Sequence, residues 1–402
     1  MIILVLNCGS SSIKYQLLNM KSESDNALMA KGIVERIGLP QGLLSHKPAG
    51  KNKYEVERPF KNHTEGINAL LEALVSKNHG VINDVDEINA VGHRVAHGGE
   101  YFTNSSLVDS QVKKEIEKCF ELAPLHNPAN LLGIEAMERL LPGIRQVAVF
   151  DTSFHQTMPE QAYFYALPYE YYEKYRIRRY GFHGTSHQYV ARKACRMTGL
   201  DFNTAKLITC HMGNGSSVAA INCGKSVDTS MGFTPLEGLM MGTRSGDIDA
   251  GVVTFIQEKE SMDAKSVNNF LNKNSGLWGI SGVSSDMRDL WKESENGNKR
   301  AQLALDMFIY RALKYVGAYA AAMNGVDAIV FTGGIGENDC NVRKQISLNL
   351  AYMGAELDVE ANDKERNDKI ISTPESKIKL LIASTNEELV IATDTMHIVS
   401  NL

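Results

Sequence analysis

One local pattern recurs at widely separated points of this chain and narrows what it can fold into. Residues 2–6 form a short apolar run, residues 7–12 a polar turn (Asn7-Cys8-Gly9-Ser10-Ser11-Ser12), and residues 13–18 are apolar again. The same signature returns at 206–221, where Leu207-Ile208-Thr209 leads into His211-Met212-Gly213-Asn214-Gly215-Ser216-Ser217 and an apolar stretch follows. A partial third copy runs from Ala328-Ile329-Val330-Phe331 into Thr332-Gly333-Gly334-Ile335-Gly336. Apolar strands that end in Gly/Ser/Asn turns, spread over two halves, predict a duplicated α/β architecture. Chance similarity of short strand-turn patterns is the competing explanation.

Helical stretches alternate with these strands. Ile67, Leu70, Leu71, Leu74 and Val75 share one helical face. Residues 301–324 are an Ala-rich helical run stopped by Gly325. The last segment opens with Thr385-Asn386-Glu387-Glu388, a capping-box spacing, and reads as helix to about residue 400. The 402 residues suit two domains better than one. No flexible linker separates them, which predicts tight crossings and a cleft between the domains.

Bulk properties exclude several function classes. With 43% hydrophobic and 22% charged residues the composition is that of a soluble globular protein. The net charge of −5 and the lack of a long basic stretch argue against nucleic acid or an anionic membrane as partner. Residues 1–6 lack the basic start and longer apolar core of a signal peptide, and no run reaches the length of a membrane span. Cysteines at 8, 119, 195, 210, 223 and 340 form no C-x-x-C pair, which predicts reduced thiols in a cytoplasmic protein.

The turns carry the candidate chemistry. In residues 7–14, small residues let backbone amides approach a phosphate, serine hydroxyls can donate to its oxygens, and Lys14 adds charge. The plain alternative is a polar hairpin turn. The glycine clusters at 213–217 and 333–338 could do the same job. Gly224-Lys225-Ser226 resembles the end of a P-loop, but that pattern requires glycine where Ala219 stands, and neither cluster fits G-x-G-x-x-G. Arg94, in Gly92-His93-Arg94-Val95-Ala96-His97, and Arg244, in Gly242-Thr243-Arg244-Ser245-Gly246-Asp247, are flanked by small residues. That setting suits a guanidinium aimed into a cleft, where it matches phosphate or carboxylate bidentately; a surface loop arginine is the alternative. Histidines gather in short motifs (His93, His97, His126, His155, His183, His187, His211) without a zinc spacing, so structural hydrogen bonding competes with catalysis for them. Asp151 follows the apolar run 147–150, a strand end where α/β proteins often place an acid.

Taken together, these motifs resemble the acetate kinase family from end to end. The matching stretches are 7–14, 92–100, 124–128, 150–159, 180–187, 211–217, 228–249, 331–338 and 385–392, in the family's order. The resemblance implies the duplicated two-domain acetate and sugar kinase/Hsp70/actin (ribonuclease H-like) fold with an interdomain nucleotide cleft. It implies an N-terminal domain of 1–151 completed by a helix at 386–402, a second domain of 152–385, and a homodimer. It implies reversible, direct in-line transfer of the γ-phosphoryl group of ATP to acetate, with magnesium, or manganese in its place. By motif, Asn7, Ser10, Ser12 and Lys14 would face the phosphates, as would His211, Asn214 and Gly215. Arg94 and Arg244 would hold the substrate and the transferred group, with His183 beside them. Asp151 and Glu387 would be the functional acids, Glu387 with Asn7 near the metal. Asp286, Met287 and Arg288, with Gly334, Ile335 and Asn338, would line the adenosine; the family commonly carries Phe where Met287 stands. Ala96, Leu125, Phe182 and Pro235 would surround the acetate methyl. Here Ala96 replaces the family's usual Val, which predicts a roomier pocket. A propionate or short-chain acyl kinase, and a non-enzymatic actin- or Hsp70-like ATPase scaffold, are the alternatives on the same fold.

The chemistry is consistent with that set. A carboxylic acid with a pKa of about 4 to 5 is already ionised at neutral pH, so no general base is needed. The difficulty is bringing an anion to a polyanion, which calls for cationic groups and magnesium. Asp151 is therefore expected to orient an arginine or a metal-bound water rather than to take a proton.

Overall fold

The computed structural model describes residues 1–364 and 368–402, and the chain separates into two compact units. One comprises Met1–Phe154 with Asn386–Leu402, the other His155–Thr385. The first is built on β1 (Ile2–Cys8), β2 (Ser12–Met20), β3 (Asn26–Glu35), β4 (Leu43–Pro48), β5 (Tyr54–Glu57), β6 (Ala90–Val95), β7 (Ser106–Leu107) and β8 (Arg145–Phe150), ordered β5-β4-β3-β2-β1-β6-β8-β7. The second is built on β9 (Lys206–Met212), β10 (Ser216–Asn222), β11 (Lys225–Thr229), β12 (Ala328–Thr332), β13 (Lys369–Ile370) and β14 (Lys379–Ile382), ordered β11-β10-β9-β12-β14-β13.

The two sheets share one plan. In each, the first strand forms an antiparallel meander with the next two: β1-β2-β3 and β9-β10-β11. On its other side it runs parallel to a later strand, which runs parallel to another: β1-β6-β8 and β9-β12-β14. A two-residue antiparallel strand, β7 or β13, then closes the edge. The recurrence in the sequence is thus a repeat of topology. Central strands are covered on both faces, which is why residues 3–6 and 328–331 read as unbroken apolar runs.

Caps set the helices. Asn62 accepts from the Glu65 amide to start His63–Leu74, which buries Ile67, Leu70, Leu71 and Leu74. Asn298 accepts from the amides of Arg300 and Ala301 to start Lys299–Ala322. Gly325 follows that helix at φ 119°, a conformation other residues rarely adopt. Two sequence expectations shift. The third glycine cluster is a short helix, Gly333–Asn338, and not a hairpin turn, because the strand following β12 in the sheet is a parallel one. The final helix, Glu387–Ser400, is capped by Asn386, whose side chain accepts from the Leu389 amide, and not by Thr385.

That final helix belongs to the first unit and lies close against β6. A Cβ at Gly92 would fall 2.5 Å from Thr395 Oγ1 and 2.6 Å from Ile391 Cγ2, so only glycine allows the approach. All six cysteines are free, and burial pushes the Cys8, Cys119 and Cys210 thiols up to about 12. Among the described residues no helix is long and apolar enough to cross a membrane.

Candidate active site

In the first unit the ends of β1, β6 and β8 lie side by side, the position where parallel sheets present functional groups. Register places Leu6 beside His93 and Val95 beside Phe150, so Asn7, Arg94 and Asp151 meet although they are far apart in sequence. Asp151 is 1% exposed and Arg94 24%. Arg94 Nε donates to both Asp151 oxygens at 3.1 Å, Nη2 donates to Oδ2 at 2.5 Å, and Nη1 reaches Asn7 Oδ1 at 3.4 Å. The charge of Asp151 holds the Arg94 pKa above its ordinary value. Lys14 is paired in register with Asn7 across the β1–β2 hairpin, and Ser10 is exposed at its tip beside the partly buried Ser12.

The close approach at Gly92 brings the start of the last helix to this group. Burial, then the charges of Asp151 and Glu388, push the Glu387 carboxyl up to about 7, while Arg94 and Lys14 pull it down. Two asparagines that the sequence reading did not single out fix the strand ends. Asn130 accepts from the Ala96 amide at 3.0 Å and donates to the Cys8 carbonyl at 2.7 Å. Asn127 accepts from the His97 amide and donates to the His97 carbonyl. Both project from one face of the helix Asn127–Leu140, and their i, i+3 spacing beside Pro128 was the available signal. Ala96 is buried, whereas Leu125 is 70% exposed.

The second unit holds the other group. Asn214 and Gly215 form the turn between β9 and β10, and the Gly242 amide donates to the Asn214 carbonyl at 3.3 Å. Arg244 Nη1 donates to the Pro235 carbonyl at 3.1 Å and lies 3.7 Å from Met241 Sδ. Burial lowers its pKa, and among the described residues no carboxylate pairs with it. His183 precedes the helix Gly184–Thr198 in a left-handed conformation, φ 58°, of the kind that costs energy outside glycine and gathers at functional sites. Its ring stacks on His211 at 4.3 Å, and a Cβ on Gly215 would lie 3.5 Å from both His183 Nε2 and Arg244 Nη1. Phe182 packs with Met231 and Met241. A Cβ at Gly213 would lie 3.8 Å from the Gly334 amide, so the two glycine segments abut.

The proposed adenosine set is more mixed. Asp286 caps Met287–Glu295 by accepting from the Arg288 amide, and its carboxylate also takes the exposed Arg288 guanidinium. Met287 is 5% exposed and packs into the core with Leu290, so its side chain does not line an open surface as expected. A side chain at Gly334 would meet open space, Asn338 Nδ2 donates to the Gly334 carbonyl, and Ile335 packs partly on the core.

Among the described residues no three His, Cys, Asp or Glu side chains gather as a metal site. Asn7 and Glu387, both beside Arg94, offer two oxygen donors, and a divalent cation would relieve the charge that Glu387 cannot hold comfortably. Two donors fit magnesium, which keeps waters and takes phosphate oxygens, rather than a metal caged by protein.

A duplicated α/β protein with glycine turns, an arginine free of carboxylate and a second arginine locked to a buried aspartate is of the anion-handling, phosphotransferase class. The chain belongs to the acetokinase family, whose model matches residues 2–393. It is 57% identical over 399 residues to the acetate kinase of Carboxydothermus hydrogenoformans, covering 99% of each chain. Among solved structures it is similar to the acetate kinase of Porphyromonas gingivalis, 51% identical with a TM-score of 0.96 and 99% of each chain covered. It is also similar to a propionate kinase from Francisella tularensis, 41% identical with a TM-score of 0.90, covering 98% of this chain and 99% of that one.

Proposed function

We propose that this chain catalyses reversible transfer of the γ-phosphoryl group of ATP to acetate, giving acetyl phosphate and ADP. The observation that carries the reading is the match along the whole length to acetate kinases, at 57% identity. The geometry supports it. Acetate arrives ionised, and the buried Asp151 has both oxygens engaged by Arg94, so it suits holding that guanidinium rather than taking a proton. Arg244 is partly buried and, among the described residues, has no carboxylate partner, which leaves its charge to be met by an anion. Preorganised donors of this kind stabilise charge in a loose phosphoryl-transfer transition state. Asn7 and Glu387 would hold the magnesium that accompanies the nucleotide, and the metal, when bound, supplies neutralisation of phosphate charge. Asn7, Ser10, Ser12, Lys14, His211, Asn214 and Gly215 are read as phosphate-side groups. Asp286, Arg288, Gly334, Ile335 and Asn338 are read as adenosine-side groups.

The test is ADP formation by the purified chain with acetate, propionate or butyrate side by side, and with no acid added. Acetate-dependent turnover supports the reading, and turnover independent of any acid sinks it. Propionate is the second reading, favoured by Ala96 and by the propionate kinase built on the same scaffold.

The chain is further read as a cytoplasmic homodimer. Its cysteines are all free. The helix Ala250–Glu260 buries no residue within the chain, and Val252, Phe255, Leu303 and Tyr310 present exposed apolar surface in the same unit. Light scattering that returns a monomer mass would remove the dimer.

A further inference from the structure

Three buried side chains behind His183 form a chain of hydrogen bonds that the reaction scheme above does not use. His183 Nδ1 lies 2.9 Å from Ser217 Oγ, the same oxygen lies 2.7 Å from His187 Nε2, and His187 Nδ1 lies 2.7 Å from Thr209 Oγ1. Thr209, His187 and Ser217 are each 0% exposed, so no water completes their bonding. Burial, with His155 and His211 nearby, holds His187 well below the ordinary imidazole range, leaving one ring proton to place.

Counting hydrogens places it. Among the described residues the Thr209 hydroxyl bonds to His187 alone. If His187 carried its proton on Nδ1, the Thr209 O–H would be a buried donor with no acceptor, which costs about 1–3 kcal/mol. With the proton on Nε2, every hydrogen is used once. Thr209 donates to His187 Nδ1, His187 Nε2 donates to Ser217, and the Ser217 hydroxyl is left to donate to His183 Nδ1. His183 Nδ1 then accepts, and its ring proton sits on Nε2. That nitrogen faces the same side of Gly215 as Arg244 Nη1, each 3.5 Å from where a Cβ would stand.

We propose that Thr209, His187 and Ser217 are positioning residues that fix His183 as its neutral Nε2–H tautomer, aiming an uncharged hydrogen-bond donor into the Arg244 pocket. Such a donor can stabilise charge on a phosphoryl oxygen without placing a second cation against Arg244. The inference rests on the phosphotransferase reading for its catalytic meaning, but the tautomer stands apart from it.

The experiment is a long-range ¹H–¹⁵N correlation spectrum of full-length, histidine-labelled protein at pH 8, with His183 assigned by its loss in His183→Gln. Protonated Nε2 and bare Nδ1 are expected for His183. Ser217→Ala should populate the Nδ1–H form and lower kcat about tenfold, part of the 10²–10³ that a single oxyanion donor supplies. KM for ATP should move less than twofold, and Ser217→Thr, which keeps the hydroxyl, should restore both signals. If Ser217→Ala fails to fold, Thr209→Val serves, since it removes the hydroxyl that selects the tautomer. A native His183 protonated on Nδ1, or a variant whose tautomer shifts with kcat unchanged, overturns the proposal. The expected tautomer in a chain that makes no acetyl phosphate would overturn the proposed activity instead.

Discussion

The bond network around Asp151 allows its role to be separated from that of Arg94 by a double-mutant cycle. Asp151→Asn keeps the shape but leaves one oxygen where two served, and it turns an NH₂ group towards the Arg94 donors. Of the three bonds, at 3.1, 3.1 and 2.5 Å, the two to Oδ2 survive if the amide oxygen takes that place, and the one to Oδ1 is lost. A hydrogen bond to a charged group contributes about 1.5–3 kcal/mol, and Arg94 remains partly buried without its counter-ion, so the folded protein should lose about 2–3 kcal/mol. In catalysis, Arg94→Ala and Asp151→Asn should each lower kcat by about 10²–10³-fold. If Asp151 acts only by holding Arg94, the double variant should also fall about 10²–10³-fold, because the second change has nothing left to disturb. The assay is steady-state acetyl phosphate formation at saturating ATP and acetate, with circular dichroism confirming the fold. Losses that multiply, to about 10⁴–10⁶-fold, would refute the reasoning and give Asp151 an independent task such as proton acceptance.

Glu387 carries a pH-dependent cost: its carboxyl is raised from 4.5 to about 7 in the fold, so stability is fullest below pH 4.5 and is lost as pH rises towards 7. Glu387→Gln should therefore melt higher than the parent at pH 8, by up to about 3 kcal/mol, lose that advantage near pH 4.5, and need more magnesium for activity. Melting curves across pH and a magnesium titration check both. Ala96→Val adds two methyl groups at a buried position and should shift kcat/KM towards acetate over propionate by about tenfold, since one methylene typically discriminates that much; an unaltered ratio would show that Ala96 does not shape the acyl pocket. Gly92→Ala should destabilise the protein by about 1–3 kcal/mol, because its Cβ would meet Ile391 and Thr395. Protease nicking at the final helix would report that displacement, and a wild-type melting temperature would show that the helix yields freely.

Much of the fold was legible because it was written locally. Polar turns between apolar runs marked β1–β2 and β9–β10, and Gly325 marked the end of the long helix. What escaped depended on partners distant in sequence. The glycines at 333–336 read as a turn, but a Cβ at Gly333 would lie 2.7 Å from the Met212 carbonyl, a tertiary constraint that sequence does not display. Thr385 and Asn386 both suit a cap, and only the geometry at Leu389 chooses between them. Met287 was expected at the adenosine from the resemblance alone, yet it is the first residue of a helix whose buried face continues at Leu290. In the site, Arg94 and Asp151 could be singled out one by one, but their pairing came from the β6–β8 register. Ser217, Thr209, Asn127 and Asn130 are small polar residues whose importance lies in what they bond, over 22 to 122 positions of chain; the i, i+3 spacing of the two asparagines is a local hint, but no local pattern names those partners.

The central claim is that the acetate carboxylate itself receives the γ-phosphoryl group. The most direct measurement is ³¹P NMR of the products formed from ATP and acetate labelled with ¹⁸O in both carboxylate oxygens. Acetyl phosphate should appear in equal amount to ADP, with its phosphorus resonance shifted by one bridging ¹⁸O. ADP without acetyl phosphate, or acetyl phosphate whose phosphorus shows no isotope shift, would contradict the account.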